Sequence, residues 1–335
     1  MVLFDALYIN SGGGKVLLDV FLDEISNQEN NQSIMFLLDK RVEETYKNKY
    51  SSLNIIYLKA TLFNRHRFYI KNKTSFLKVF CFGNLPPTLK LKVPVYTYLH
   101  QKYYIKIPDS LSVKEKFIFK IKTIVFKRLL PNTTFFLVQS ELMKKQLSEK
   151  YKFMNVKVFP FFKENKSDSQ VDKEKNNFLY VSLASSHKNH INLIHAFCLS
   201  YNKKDHSTLN LTVSNENPVV LKLIDEKNKD GFPIQNHGFV NQKQKKELYN
   251  KAEFVIFPSL TESLGLGLIE AMQFNCKIIA SELDYVHEIV KPSLTFNPND
   301  VEDISNKITF AIHNQLSNSK LIVQNKIIEL IELLK

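Results

Sequence analysis

Tryptophan is absent from the 335-residue sequence, and cysteine occurs three times. The aromatic bulk of the hydrophobic cores must therefore come from the 26 Phe and 14 Tyr residues. Cys81, Cys198 and Cys276 are far apart and odd in number, which indicates neither a disulfide framework nor a Cys-rich metal cluster. This use of cysteine favours a reducing, cytoplasmic setting.

Long apolar runs are also missing, since no run approaches the roughly 18 to 20 residues that a membrane span needs. Residues 1–10 lead directly into a predicted strand, and they show neither the basic region nor the cleavage site of a secretory signal. We therefore expect no leader and no spanning helix. The apolar share of 44% and the charged share of 24% are typical of globular proteins. This chain length favours about two domains.

Acidic residues are absent between Glu44 and Asp109, and this gap makes the charge of the chain uneven. Residues 1–163 carry 27 Lys and Arg against 12 Asp and Glu, a net charge of +15, whereas the remainder carries 19 against 21. A domain with this excess of positive charge should attract anions. The candidates are an anionic membrane surface, a nucleic acid and a phosphorylated substrate.

Strand and helix signals alternate along the chain, which predicts α/β layers with parallel sheets. The stretch from 163 to 177 interrupts this pattern with a polar sequence, ENKSDSQVDKEKNN, that is typical of a linker. We therefore predict two Rossmann-like domains, 1–163 and 164–335. The predicted strands are 3–10, 33–38, 54–59, 76–82, 95–99, 135–139, 156–159, 178–183, 209–214, 254–257 and 277–280. The predicted helices are 15–25, 141–150, 192–201, 219–229, 242–252 and 265–274.

The most informative segment is FPSLTESLGLGLIEAM, residues 257–272, in which a predicted strand passes through a polar turn into a helix. The unpaired N–H groups at such a helix N-terminus favour an anion, and Gly265 and Gly267 would let it approach the backbone. A carboxylate at Glu270 could accept hydrogen bonds from a ribose, and Glu262 could reach a sugar hydroxyl. The alternative is an ordinary strand-to-helix turn whose glutamate merely matches the helix dipole.

The spacing of Glu262 and Glu270, with seven residues between them, resembles the signature of glycosyltransferase family 4. Further similarities lie in residues 277–281, in Glu288 and in the Gly238-Phe239-Val240 segment, and the resemblance is strong over 178–297 and weaker before it. Members of this family are retaining enzymes of GT-B fold. The resemblance thus implies an α/β fold with two Rossmann-like domains that face each other across a cleft.

The same resemblance assigns roles within the second domain. It implies that Glu262 contacts the donor sugar, that Glu270 holds the ribose, and that Phe239 and Val240 line the base. It assigns the diphosphate to the backbone amides of Ser263, Leu264, Gly265 and Leu266. It implies no metal and no cofactor beyond a UDP- or GDP-linked donor sugar, and the sequence contains no Asp-x-Asp triplet.

Lys188 lies in SHKNHINLIHAF, which resembles the basic segment that neutralises the departing diphosphate in the family. The family usually has an Arg five or six residues earlier, where this chain has Leu183 and Ser182. Each lost charge-assisted contact would weaken diphosphate binding by about 1.5–3 kcal/mol. Compensation by residues 185–187 is one interpretation, and a slow or inactive enzyme is the other. Lys188 itself could also be an ordinary surface lysine.

In the first domain, three consecutive glycines at 12–14 join a strand to a helix, which predicts a close approach of the backbone to a ligand. By resemblance, Gly13 and Gly14 face the donor phosphates. His100 ends a predicted strand, where α/β folds bind ligands, and by resemblance it contacts the donor sugar near the reacting centre. An ordinary strand-end histidine is the alternative. We therefore treat His100 as a positioning group.

Residues 113–130, VKEKFIFKIKTIVFKRLL, interleave apolar side chains with six Lys or Arg. Such a segment is typical of a helix that binds an anionic membrane interface, and a helix packed on the core with a solvated lysine face is the alternative. No recognised nucleic-acid module is present, so we expect no specific nucleic-acid partner.

Together these features predict a cytoplasmic, peripherally membrane-bound glycosyltransferase. It would act on a lipid-linked glycan in cell-surface polysaccharide synthesis, such as that of lipopolysaccharide. A non-catalytic GT-B homologue that serves as a membrane-associated scaffold is the alternative, favoured by the missing Arg. Less favoured are a GT-B epimerase or phosphorylase and a nucleic-acid-binding protein. The last helix, about 321–335, is expected to pack back on the first domain.

Overall fold

The computed structural model describes residues 1–28, 33–108, 111–153, 155–165 and 172–335. The chain forms two compact units, Met1–Lys163 with Gln324–Lys335, and Glu164–Val323. Most of the predicted linker, residues 166–171, lies outside the described residues. Within the described ranges, no helix is long and apolar enough to cross a membrane.

The first unit is built on a seven-stranded parallel sheet in the order β3-β2-β1-β4-β5-β6-β7. The strands are β1 (Val2–Ala6), β2 (Ile34–Asp39), β3 (Asn54–Leu58), β4 (Lys78–Cys81), β5 (Val95–Leu99), β6 (Phe135–Val138) and β7 (Val156–Val158). The helices are α1 (Gly12–Ser26), α2 (Glu43–Tyr46), α3 (Leu62–Asn72), α4 (Val113–Leu129) and α5 (Glu141–Tyr151). β1 and β5 are buried at every residue, as expected for parallel strands covered on both faces.

The second unit has a six-stranded parallel sheet in the order β10-β9-β8-β11-β12-β14 and a short antiparallel pair, β13 with β15. The strands are β8 (Glu174–Tyr180), β9 (Thr208–Leu211), β10 (Ile234–Asn236), β11 (Ala252–Phe257), β12 (Lys277–Ser281), β13 (Val290–Lys291), β14 (Leu294–Phe296) and β15 (Lys320–Leu321). The helices are α6 (His190–Ser200), α7 (Pro218–Lys229), α8 (Gln242–Lys251), α9 (Leu266–Gln273), α10 (Asp284–Ile289) and α11 (Val301–His313). The predicted α/β class with parallel sheets is confirmed.

The final helix, α12 (Ile327–Leu334), groups with the first unit. The Lys326 N–H donates to the Pro160 carbonyl at 2.9 Å, and the Lys78 ammonium donates to the Leu333 carbonyl. The apolar face of α12 is buried. The predicted second domain ran to residue 335, with its last helix expected to pack back on the first domain. The structure ends the second unit at Val323 and groups this helix with the first unit.

Two predicted boundaries were wrong for identifiable reasons. β1 ends at Ala6 rather than residue 10, because the Ile9 N–H turns back to the Ala6 carbonyl at 3.0 Å. β8 begins at Glu174 rather than residue 178, because its polar first residues pair with β11, where Glu174 lies opposite Ala252. A polar start to a strand is indistinguishable from a linker when only the sequence pattern is read.

Phenylalanine supplies the core of the first unit in place of tryptophan. Phe4 on β1 stacks on Phe21 of α1 with ring centroids 4.4 Å apart, and it contacts the rings of Phe36, Phe80 and Phe82 at 5.1–5.4 Å. All five side chains are buried. These ring pairs add to the free energy gained by removing the apolar surface from water.

A buried ion pair fixes the carboxyl end of β1. The Arg65 Nε on α3 donates to Asp5 Oδ2 at 2.8 Å, and both side chains are only 1% exposed. The same guanidinium donates to the carbonyls of Leu85 and Pro86 at 2.9 and 2.7 Å, and the Tyr69 hydroxyl donates to Asp5 at 2.6 Å. Arg65 therefore ties β1 to the segment that follows β4.

We expect Arg65→Ala to lower the free energy of unfolding of the first unit by about 3–5 kcal/mol, because it leaves the buried Asp5 carboxylate without its cation. Urea unfolding, with hydrogen exchange of the β1 amides to report the first unit separately, measures the change. Arg67→Ala, at an exposed position on the same helix, is the matched control and should stay within about 0.5 kcal/mol of the wild type. Equal losses in the two variants would contradict the assignment.

Candidate functional site

The predicted donor-site residues lie at the carboxyl edge of the sheet in the second unit, where β8 and β11 are neighbours. The loop after β8 carries Lys188, and the loop after β11 carries Glu262. The Tyr180 hydroxyl donates to the Lys188 carbonyl at 3.0 Å and shares a hydrogen bond of 2.8 Å with Ser259 Oγ. The Leu260 N–H donates to the His187 carbonyl at 2.8 Å. The two loops are thus held together by hydrogen bonds.

Lys188 and Glu262 form an ion pair in which Nζ lies 2.5 Å from Oε1. The side chains are 19% and 12% exposed, so the pair is mostly removed from water yet open to a ligand. The Lys188 ammonium also lies 5.9 Å from the centre of the Phe257 ring. Two residues singled out separately in the sequence are therefore brought into direct contact.

The turn from Glu262 into α9 contains the four residues whose amides were assigned to a diphosphate: Ser263, Leu264, Gly265 and Leu266. Gly265 is the residue before the helix, and its φ of +66° lies in the left-handed region that favours glycine. A Cβ there would also lie 3.0 Å from Ile289 Cδ1. The first N–H groups of α9 have no partner within the helix, so they present the positive end of its dipole.

The expectation that Gly267 opens the backbone to an anion was wrong. A Cβ at this position would lie 2.9 Å from Cε2 of the Phe257 ring and 3.7 Å from the Tyr249 hydroxyl. Gly267 therefore faces β11 and α8, and its missing side chain lets α9 pack closely on the sheet.

Glu270 lies in the second turn of α9 and is held by two residues of α8. The Lys245 ammonium forms an ion pair with its Oε1, and the Tyr249 hydroxyl donates to its Oε2 at 3.2 Å. Burial and the nearby Glu270 carboxylate raise the pKa of Tyr249 well above its usual value, so the phenol keeps its proton for this bond. Lys245 and Tyr249 were not among the site residues predicted from the sequence. Their spacing of four residues on one helix face is the signal that could have found them.

The segment that was assigned to the base follows β10. The Asn236 side chain accepts from the Val213 N–H at 2.8 Å and donates to the Val213 carbonyl at 3.0 Å, which fixes the start of the loop. Gly238 has a φ of +63°. Phe239 is 81% exposed, and Val240 is partly buried. The loop therefore presents an aromatic ring to solvent.

Within the second unit the long cationic side chains are all lysines, because the four arginines of the chain are Arg41, Arg65, Arg67 and Arg128, all in the first unit. At the positions where the family usually has Arg, the Ser182 N–H donates to Thr212 Oγ1 at 3.0 Å, and Leu183 is about half exposed. Ser185 Oγ lies 3.2 Å from His187 Nδ1. Burial, together with the Lys188 charge, lowers the pKa of His187. The predicted compensating residues are thus uncharged at neutral pH.

In the first unit, Gly13, Gly14 and His100 lie at the carboxyl edge of the sheet, after β1 and β5. A Cβ at Gly14 would lie 2.9 Å from His100 Nε2, so this glycine packs directly on the imidazole, whereas Gly13 faces open space. Burial lowers the pKa of His100 to about 4. Asn84, which was not identified from the sequence, bonds to Nε2 at 3.0 Å. The predicted site residues are thus divided between the two units.

Among the described residues, no group of three or more His, Cys, Asp or Glu side chains could hold a metal ion.

Comparison with protein families identifies the second half of the chain. Residues 161–327 match the family model for glycosyl transferases group 1. The chain carries a group 1 glycosyltransferase domain. The O-antigen chain mannosyltransferase RfbU of Salmonella typhimurium is 30% identical over 200 residues, which cover 58% of this chain and 54% of that protein. The chain therefore spans about half the length of this relative.

Solved structures support the fold. HepE of Anabaena, in complex with UDP and glucose, superposes with a TM-score of 0.66 at 14% identity, covering 93% of this chain and 90% of HepE. Sucrose-phosphate synthase from Thermosynechococcus elongatus gives a TM-score of 0.72 at 14% identity, with the same coverage of both chains. The predicted GT-B class is thus confirmed for a chain with a group 1 domain, and its assignment to family 4 stays a prediction.

The group 1 domain also contains a buried histidine that should make it sensitive to acid. His190 begins α6, its ring centroid lies 4.8 Å from that of Tyr180, and burial lowers its pKa to about 3. The unfolded state, with a histidine pKa of about 6.5, binds a proton at higher pH than the folded state does. The contribution of the neutral, buried His190 to the free energy of unfolding is therefore fully present above about pH 6.5. It is lost as the pH falls towards 3.

We expect the free energy of unfolding of the second unit to fall by about 2–3 kcal/mol between pH 6.5 and 4.5 on account of His190. Urea unfolding at a series of pH values, with hydrogen exchange of the β8 amides, measures this slope. His190→Leu should flatten the slope, whatever its effect at pH 7, whereas His195→Leu at an exposed position of α6 should leave it unchanged. A wild-type slope in the His190 variant would show that His190 is not buried in its neutral form.

Proposed function

We propose that the chain is a retaining glycosyltransferase that transfers a sugar from a UDP- or GDP-linked donor to a hydroxyl of a lipid-linked glycan. The observation that carries this proposal is the Lys188–Glu262 ion pair at the entrance to α9, within the segment that matches group 1 glycosyltransferases. This arrangement places a cation, a carboxylate and a helix N-terminus within one short stretch of the sheet edge.

The diphosphate of the donor would bind at the start of α9. Its oxygens would accept hydrogen bonds from the amides of residues 263–266, where the helix dipole favours negative charge. Lys188 would turn from Glu262 to the phosphate and would stabilise the charge that develops as the sugar departs, without a metal ion. Glu262, released from its lysine, would then accept a hydrogen bond from a sugar hydroxyl.

The nucleoside would be held by the group around Glu270. A ribose has two adjacent hydroxyl donors, and Glu270 offers two carboxylate oxygens whose position is fixed by Lys245 and Tyr249. The exposed ring of Phe239 offers an apolar face for the base. His100, by the family resemblance, would position the sugar near the anomeric carbon without serving as a nucleophile.

The names of the related proteins support a surface-glycan pathway and a nucleotide-sugar donor. RfbU is described as an O-antigen chain mannosyltransferase, and HepE was solved with UDP and glucose. For this chain we combine the two, a sugar activated by a nucleoside diphosphate as the donor and a growing glycan as the acceptor.

A second candidate function is a non-catalytic, membrane-associated scaffold. The observation that favours it is the lack of arginine in residues 129–335, which leaves the diphosphate seat without the guanidinium that is usual in the family. The intact Lys188–Glu262 and Lys245–Glu270 pairs favour the enzyme instead.

The acceptor would be reached at an anionic membrane surface through α4. Val113, Phe117, Ile121 and Ile124 follow the spacing of one helix face, and all four are exposed, Phe117 to 64%. On α4 only Phe126 is fully buried among the described residues. The alternative of a core-packed helix with a solvated lysine face does not account for this exposed apolar row, whereas insertion between anionic lipid headgroups does.

For the donor site, we expect the wild type to bind either UDP and UDP-glucose or GDP and GDP-mannose. EDTA should leave the dissociation constant of each compound unchanged. Glu270→Ala should weaken binding at least about tenfold, because the ribose loses its charged acceptor. Isothermal titration calorimetry measures this, with Glu247→Ala, at an exposed position of α8, as the control. If none of the four compounds binds the wild type, the scaffold function replaces the enzyme.

For the membrane surface, we expect the protein to sediment with vesicles that contain phosphatidylserine and to stay in solution with vesicles of phosphatidylcholine alone. The double variant Phe117→Ser/Ile121→Ser should bind at least about tenfold more weakly, since each buried side chain contributes roughly 1.5–3 kcal/mol. Phe310→Ser, which removes an exposed apolar side chain from α11, should bind as the wild type does. Equal binding of both variants would argue against α4 as the contact.

A further inference from the structure

We propose that Asn84 is a positioning residue that holds His100 in the tautomer with its proton on Nδ1, so that this N–H is offered to an acceptor oxygen of the donor sugar. This inference rests on the proposed function for its ligand. The hydrogen bond between the two side chains stands on the structure of the first unit alone.

The orientation of the Asn84 amide is fixed by two backbone donors. Its Oδ1 lies 2.8 Å from the His100 nitrogen and 2.9 Å from the Gln101 nitrogen. Backbone N–H groups can only donate, so the atom that accepts from both must be the amide oxygen. The other atom of the amide, Nδ2, is therefore a donor.

This donor determines the state of the His100 ring. Nδ2 lies 3.0 Å from His100 Nε2, so Nε2 must accept and carries no proton. In a neutral imidazole the proton then lies on Nδ1. Burial keeps the ring neutral at physiological pH, because it lowers the pKa of His100 to about 4.

The position of Asn84 is itself set by the buried ion pair. Asn84 has a φ of +67°, a left-handed conformation that Asn tolerates better than most residues. The next two carbonyls along the chain, those of Leu85 and Pro86, both accept hydrogen bonds from Arg65. The amide that orients His100 is therefore anchored to the Asp5–Arg65 pair.

The ring of His100 is confined by its neighbours. Gly14 packs on Nε2, and the rings of Phe82 and Tyr98 lie 5.3 and 6.1 Å from the imidazole centroid. Nδ1 is buried and has no hydrogen-bond partner within the described part of the chain. The Nδ1–H group is therefore shielded from water and has no acceptor among the described residues. Such a donor is suited to a hydroxyl or ring oxygen of a bound sugar.

Asn84→Asp is the variant that separates this role from a structural one. Aspartate has the same shape and tolerates the same backbone conformation, and one of its oxygens can still accept from the N–H groups of His100 and Gln101. Its second oxygen takes the place of Nδ2, so that an acceptor instead of a donor faces Nε2 of His100. A hydrogen bond then requires the proton of the imidazole to lie on Nε2.

The first measurement is the pair of nitrogen-15 chemical shifts of His100 in the ligand-free protein at neutral pH. We expect a protonated Nδ1 and an unprotonated Nε2 in the wild type, and a protonated Nε2 in Asn84→Asp. A wild type with its proton on Nε2 would overturn the inference without any variant. The same tautomer in both proteins would also overturn it.

The second measurement is the ratio of the dissociation constants of UDP and UDP-glucose, and likewise of GDP and GDP-mannose. Asn84→Asp should weaken binding of the nucleotide sugar about tenfold and leave that of the diphosphate unchanged. In a His100→Ala background the same change should have no effect on the ratio. An unchanged ratio in the single variant would overturn the sugar contact.

The two measurements test different parts of the proposal, so one part can be overturned without the other. If neither diphosphate nor nucleotide sugar binds the wild type, the proposed function is overturned, and the sugar contact with it. The nitrogen shifts would then still decide whether Asn84 sets the tautomer of His100.

Discussion

The hydroxyl of Tyr180 joins the two loops on which the candidate donor site depends. It reaches the Lys188 carbonyl on one side and Ser259 on the other, at the ends of adjacent strands. Parallel pairing of β8 with β11 brings these strand ends to one edge, and the hydroxyl holds the loops at a defined separation. The ion pair between Lys188 and Glu262 depends on that separation, because each of its two residues stands on a different one of these loops.

Charge in the second unit is arranged in pairs. Each glutamate of the signature has its own lysine, Lys188 for Glu262 and Lys245 for Glu270, and each pair is mostly removed from water. A carboxylate that must accept hydrogen bonds from a sugar is thereby oriented before any ligand arrives. Lysine is suited to such a role, since its single ammonium can move between a carboxylate and a phosphate on a flexible stem.

Sequence reasoning succeeded where the relevant contacts are local and failed where they cross the chain. The alternation of strands and helices predicted β5 to the residue, and the Glu262–Glu270 spacing identified the turn into α9. Helix α3 was missed because Arg65 is one of its buried residues, and a hydrophobicity pattern treats an arginine as a solvent-exposed residue. Lys245 and Asn84 were missed because their partners lie 25 and 16 positions away. Gly267 was misassigned because the sequence does not distinguish a glycine that is needed for close packing from one that is needed for ligand access.

The return of α12 to the first unit has a consequence for synthesis. Residues 1–163 leave the ribosome before the whole of the second unit, yet α12 follows that unit in the chain. The surface that α12 covers must therefore wait, exposed, while residues 164–323 are translated. Since domains generally fold as they emerge, the first unit must persist in an incomplete form until the last helix docks. That incomplete first unit is the form of the chain with this apolar surface still open to a chaperone.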